Sequence, residues 1–167
     1  MTSTLSMVRH PPRAPRGFTL IEMVVVVLIV GILASAAMPL AALHKRRSQE
    51  AELRQALRTL RMAIDEHKRA WEAGRIEKKA DASGYPPNLE VLVQGVIDAS
   101  SPTGQRIYFL RRLPRDPFAD AQLPAAQTWV TRSYASPPDA PAPGADVFDV
   151  ASRTAGVGLD GVPYRQW

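Results

Sequence analysis

The sequence predicts an α+β fold in which a long N-terminal helix, apolar and protruding in its first half, amphipathic and packed in its second, lies against a small antiparallel β-sheet. Three observations predict it. From Phe18 to Leu43 the chain carries one charge, Glu22. Beyond that run, Leu53, Leu57, Leu60, Ile64, His67 and Trp71 recur at spacings of 4, 3, 4, 3 and 4, one face of an amphipathic helix. After residue 80 come eleven of the 15 prolines and seven of the 10 glycines, a density that long helices do not tolerate.

The apolar segment comes first. Its 26 residues reach roughly 39 Å as a helix, more than the roughly 30 Å hydrocarbon core of a bilayer. Such a segment meets a membrane at some stage. Two readings compete: a removable secretory signal cut at Ala34-Ser35-Ala36, or a permanent anchor trimmed on its cytoplasmic side. The flanks do not choose between them, with Arg9, Arg13 and Arg16 on one side and Lys45, Arg46 and Arg47 on the other. Glu22 bears on the choice, because a carboxylate near the start of an apolar run is costly and needs a reason. Pro39 lacks an N–H and crowds the carbonyl of Ser35, and Gly31 is a second weak point, so a kink or local melting is expected there.

The amphipathic half follows, with Ala56, Ala63 and Ala70 widening its apolar stripe. A dimeric coiled coil and packing on the chain's own globular half both satisfy this spacing. From Phe18 to Ala73 the helix would measure roughly 84 Å, too long for a compact domain. His44-Lys45-Arg46-Arg47 is the strongest basic run, either a lipid-headgroup contact or a solvated face.

The remainder reads as short elements. Asn88 can cap a helix through Leu92 or Val93 that Gly95 stops. Ile107–Leu110, Thr128–Tyr134 and Val147–Val150 read as strands, the last two joined by a Pro/Ala-rich loop over 135–146.

Charge and composition exclude several functions. The net charge of +5 divides as +3 over residues 1–17, −1 over 18–43, +5 over 44–80 and −2 over 81–167. Without the first stretch only +2 remains, and no aromatic interleaving accompanies the basic run, so a nucleic-acid partner is not expected. The absence of cysteine removes disulfides, thiolate metal sites and a cysteine nucleophile. His10, His44 and His67 form no metal-binding pair. Gly156-Val157-Gly158-Leu159-Asp160-Gly161 matches a dinucleotide fingerprint in letters only, since too few residues follow for its helix and strand. Asp65 and Glu66 are adjacent on a helix and face differently. No catalytic residue is expected, and the chain reads as no enzyme.

Arg16-Gly17-Phe18-Thr19-Leu20-Ile21-Glu22, followed by the apolar run, resembles the prepilin cleavage signature of type IV pilins and type II secretion pseudopilins. Gly84-Tyr85-Pro86-Pro87, Tyr108-Phe109-Leu110-Arg111-Arg112-Leu113-Pro114-Arg115-Asp116-Pro117-Phe118 and Val147-Phe148-Asp149-Val150 resemble the major-pseudopilin branch. The resemblance implies a pilin-like fold with a prepilin leader at 1–17, a transmembrane and filament-core helix at 18–43, an amphipathic helix at 44–80 and a globular periplasmic region at 81–167. It implies that a prepilin peptidase cuts between Gly17 and Phe18 and methylates the new Phe18 amine, leaving 167 − 17 = 150 residues. Glu22 would then meet the Phe18 amine of a neighbouring subunit and set the axial register; pairing with its own Phe18 or lying at the membrane interface are the alternatives. The implied role is that of a structural subunit that polymerises into a periplasmic pseudopilus for export of folded proteins. Its implied partners are its own copies, other pseudopilins, inner-membrane secretion components and inner-membrane lipids. A type IV pilus subunit and a soluble secreted protein are the competing readings. No cofactor is expected, although major pseudopilins often hold calcium after the last strand. Asp149 and Asp160 are the weak candidate ligands, with Arg153 and the scarcity of carboxylates against them and a plain turn at Asp160-Gly161 the alternative.

Overall fold

The computed structural model describes residues 17–167, with the backbone alone for residues 36–39. The leader expected over 1–17, apart from Gly17, lies outside the described residues, as does the Pro39 side chain on which the expected kink turns. Helix α1 runs from Leu20 to Glu72. The chain divides into two compact units, Met1–Leu43 and His44–Trp167, and α1 contributes to both.

In the second unit the apolar stripe of α1 is the floor of the core. Leu53, Leu57, Leu60 and Ile64 are buried together with Ala56 and Ala63. Leu89, Leu92, Trp129, Val147, Val150 and Tyr164 complete the cluster. His67 is buried on the same face and Trp71 is half-buried. The stripe is spent on the chain's own globular half, leaving the coiled-coil alternative without a seam.

The helix ends at Glu72, one residue from the expected Ala73, and residues 73–80 of the region 44–80 lie beyond it. The terminator is local: Gly74 takes a φ of 74°, its N–H bonds to the Trp71 carbonyl at 3.0 Å and the Arg75 N–H reaches back to Ala70 at 2.9 Å. This is the Schellman pattern, which satisfies the last carbonyls and turns the chain away. Arg75 then ties the helix end to Asp98, with Nη2 2.6 Å from Oδ2. The Ser100 hydroxyl first, and Arg75 next, hold the Asp98 carboxyl down to about 2.

Helix α2 (Val91–Gln94) is short. Asn88 Oδ1 accepts the Val91 N–H at 3.1 Å, and Gly95, at a φ of 74°, closes the helix. The strands form two separate antiparallel pairs rather than one sheet. Strands β1 (Val96–Ile97) and β2 (Arg106–Ile107) pair with Val96 opposite Ile107. Strands β3 (Trp129–Arg132) and β4 (Asp149–Ser152) pair with Trp129 opposite Ser152.

All three expected strands depart from their bounds, each because of where backbone N–H groups find acceptors. Thr128–Tyr134 narrows to Trp129–Arg132, with Thr128 in the preceding helical turn and the Ser133 N–H on the Ala142 carbonyl at 2.9 Å. Over Ile107–Leu110, the Phe109 and Leu110 N–H groups both turn to the Leu92 carbonyl at the end of α2. Over Val147–Val150, the Val147 N–H goes to Pro86, so the ladder starts two residues later. Asp116, in the Leu-Pro-x-Asp-Pro segment, binds the loop before β3 to β4. Its buried carboxylate accepts the Phe118 N–H at 2.8 Å and the hydroxyl of Ser152. Trp129 Nε1 donates to the Pro114 carbonyl at 3.0 Å.

Candidate functional site

Gly17, Phe18 and Thr19 precede α1 in non-helical conformation. Thr19 is the N-cap: its carbonyl accepts the Met23 N–H at 3.2 Å, and its Oγ1 accepts the Glu22 N–H at 3.3 Å. Thr19-Leu20-Ile21-Glu22 is therefore a capping-box sequence, with the acid at the third helical position. Sequence reasoning missed this second duty of Thr19, although Thr-x-x-Glu before an apolar run is its signal. The Glu22 carboxylate lies in the first turn, where the helix dipole favours a negative charge. Its side chain is exposed, and among the described residues no ion pair involves it.

Phe18 is 76% exposed. Every large apolar side chain from Leu20 to Leu33 is exposed as well, from 44% at Val25 to 83% at Leu20. No stripe distinguishes a packed side, which is the pattern of a helix meant for an apolar surrounding. Among the described residues α1 alone is long and apolar enough to cross a bilayer. The hydroxyl of Ser35 donates to the Ile32 carbonyl at 2.7 Å, so it needs no partner from water. At Gly31 nothing lies within 4 Å of where a Cβ would stand. The helical assignment continues through both Gly31 and Pro39.

The sequence singles out Asp149 and Asp160 as oxygen donors, and both face arginines of α1. Asp149 Oδ1 accepts Arg61 Nε at 2.8 Å and its own neighbour's N–H, that of Val150, at 2.8 Å. Asp160 Oδ2 accepts Arg54 Nη2 at 2.7 Å, and its Oδ1 accepts the Val162 N–H at 3.0 Å. Gly161, at a φ of 82°, closes the tight turn with its N–H on the Gly158 carbonyl at 2.9 Å. A guanidinium against each carboxylate opposes a divalent cation, which requires several free oxygens around one point. Among the described residues no group of three or more His, Asp or Glu side chains gathers.

The glycines of the false dinucleotide fingerprint have structural work. A Cβ at Gly156 would stand 2.7 Å from the Tyr164 ring, and one at Gly158 would strike Trp167 and Asp160.

The family described as "Prokaryotic N-terminal methylation motif" matches residues 12–38. Among curated proteins, the type II secretion system core protein G of Klebsiella michiganensis is 33% identical over 116 residues, covering 66% of this chain and 74% of that one. That of Klebsiella pneumoniae is 34% identical over 113 residues, covering 65% and 73%. That of Dickeya chrysanthemi is 32% identical over 116 residues, covering 66% and 69%. No solved structure gives a significant match.

Proposed function

The chain belongs to the type II secretion system core protein G family, and from that premise we propose how it works as a pseudopilin: as an anchored subunit that leaves the membrane by packing its apolar helix against copies of itself. Its kind is structural and non-enzymatic. The methylation motif implies processing by a prepilin peptidase. In this reading the cut falls between Gly17 and Phe18, and the apolar half of α1 holds the subunit in the inner membrane with residues 44–167 in the periplasm.

One observation carries the reading: in one helix the apolar stripe of the second half is buried by its own chain, while every large apolar side chain from Leu20 to Leu33 is exposed among the described residues. Each large apolar side chain left in water forgoes about 1.5–3 kcal/mol. Lipid covers that surface first, and neighbouring subunits cover it in the fibre. Other pseudopilins and inner-membrane secretion components share the same environment.

Glu22 supplies the register. Cleavage creates a cation at Phe18, four residues before Glu22 and next to the positive end of the helix dipole. In a dry bundle that cation requires a carboxylate, and the exposed Glu22 of a neighbour provides it.

The test is a Glu22→Ala chain expressed with the rest of the secretion system. It inserts and is cut, so mass spectrometry finds N-methylated Phe18 as its first residue. Sheared or cross-linked fibres fall by more than about tenfold, since an unpaired buried charge costs about 3–5 kcal/mol. Normal fibres from this variant would overturn the charge pair. A first residue near Ala37 in the unaltered chain would overturn the whole reading.

A further inference from the structure

The last residues of the chain are fastened to α1 by a row of charged side chains lying beside its apolar stripe. Arg46, Glu50, Arg54 and Arg61 follow one another at spacings of 4, 4 and 7, which keeps them on one helical face. Arg46 Nη2 donates to the Val157 carbonyl at 2.5 Å and Nε lies 3.4 Å from Glu50 Oε1. The buried Glu50 carboxylate accepts the Leu159 N–H at 2.9 Å and the Tyr164 hydroxyl at 3.0 Å. Arg54 pairs with Asp160, and its guanidinium lies 4.0 Å from the centre of the Trp167 ring.

Arg61 gathers the most. Besides Asp149, its Nη2 donates to the Val150 carbonyl at 3.1 Å and to the Trp167 main-chain oxygen at 2.7 Å. One guanidinium thus collects a carboxylate and two main-chain oxygens from β4 and from the C-terminal turn. That is the work a hard cation does in a loop, done here by a planar fork whose charge is fixed.

We propose that guanidinium groups of α1 stand in for a divalent cation at the C-terminal segment 149–167, so that this segment holds its structure without calcium and depends on Arg61 and Arg54. The inference concerns the fold of residues 44–167 and is independent of whether the chain polymerises.

The experiment uses the full chain in detergent micelles. Thermal melting is followed in millimolar calcium and in excess chelator, and hydrogen exchange is read by mass spectrometry for the unaltered chain, Arg61→Gln and Arg54→Gln. The melting midpoint of the unaltered chain is the same in both solutions. Arg61→Gln raises exchange across 149–167 by about tenfold, as expected for loss of charged hydrogen bonds. Arg54→Gln, whose pair is half-exposed, raises it about threefold. In Arg54→Gln the amides of Leu53–Ile64 keep their protection, which separates release of the segment from unfolding. A midpoint that climbs by several degrees in calcium overturns the proposal. So does unchanged exchange in 149–167 in whichever of the two variants folds.

Discussion

Residues 20–35 and 53–71 belong to the same helix and are both rich in large apolar side chains, yet the first set is exposed throughout, whereas in the second Leu53, Leu57, Leu60 and Ile64 are buried and, of the large apolar side chains, only Met62 is exposed. The difference is angular. In 53–71 the buried apolar residues recur every three or four positions and mostly polar or charged residues lie between them, so a globular half of ordinary size can cover the stripe. In 20–35 the apolar residues run all round the helix, and no small domain can cover every side. Burial therefore follows from the arrangement of apolar residues and not from their abundance. A region that its own chain cannot cover is one that must be covered by something else.

The sharpest way to break this comparison is one truncation in each half. Leu60 is fully buried, and Leu60→Ala is expected to cost about 2–5 kcal/mol. Leu28→Ala, in the exposed half, leaves the denaturation midpoint of the globular unit in micelles where it was. Equal losses from the two would show that the halves are not energetically separate.

A smaller effect is expected where the packed half ends. Gly84 has a φ of 84°, and a Cβ there would stand 2.5 Å from the Trp71 ring. Gly84→Ala combines backbone strain with overpacking, about 2–4 kcal/mol together. Gly104→Ala has a similar backbone, at a φ of 67°, but nothing within 4 Å. It is expected to cost about 1 kcal/mol, so chemical denaturation of the two variants separates clash from strain.

The smallest effect is a pH dependence confined to the packed half. Burial pushes the His67 imidazole below its usual value, against the opposing pull of the Gly84 carbonyl, to which Nδ1–H donates at 3.0 Å. The unfolded chain takes up a proton first, near pH about 6.5. Stability from the neutral ring is thus complete above that pH and declines as pH falls toward the lower folded value. Melting curves between pH 7.5 and 5 should show this decline in the unaltered chain (about 5 being where carboxylates begin to titrate). They should show a shallower one in His67→Asn, which keeps a donor for Gly84 without an ionisable ring.

The long helix and its buried stripe were legible because a periodicity of 3.6 is a local property, visible at Leu53, Leu57, Leu60 and Ile64 without knowledge of any partner. The methylation motif matched over residues 12–38 was legible in Arg16–Glu22 and the apolar run behind it. Strand bounds were not, because the start of β4 depends on Pro86, 61 residues upstream of Val147, taking a hydrogen bond that hydrophobicity cannot announce. The separation of β1–β2 from β3–β4 is equally a matter of distant partners. Arg46 was legible only within the basic run His44–Arg47, as a lipid contact or a solvated face, and the roles of Glu50, Arg54 and Arg61 depend on residues 149–167, which local spacing does not reveal.

The N-cap at Thr19 has a bearing on how a precursor becomes a subunit. A cut between Gly17 and Phe18 falls upstream of the cap, and the Thr19 bonds to Glu22 and Met23 involve no atom that the cut removes. In the proposed maturation the cap's own hydrogen bonds are therefore not among those the cut breaks. What such a cut changes at the tip is charge: it takes away the +3 of residues 1–17 and puts one amine directly before the capped turn.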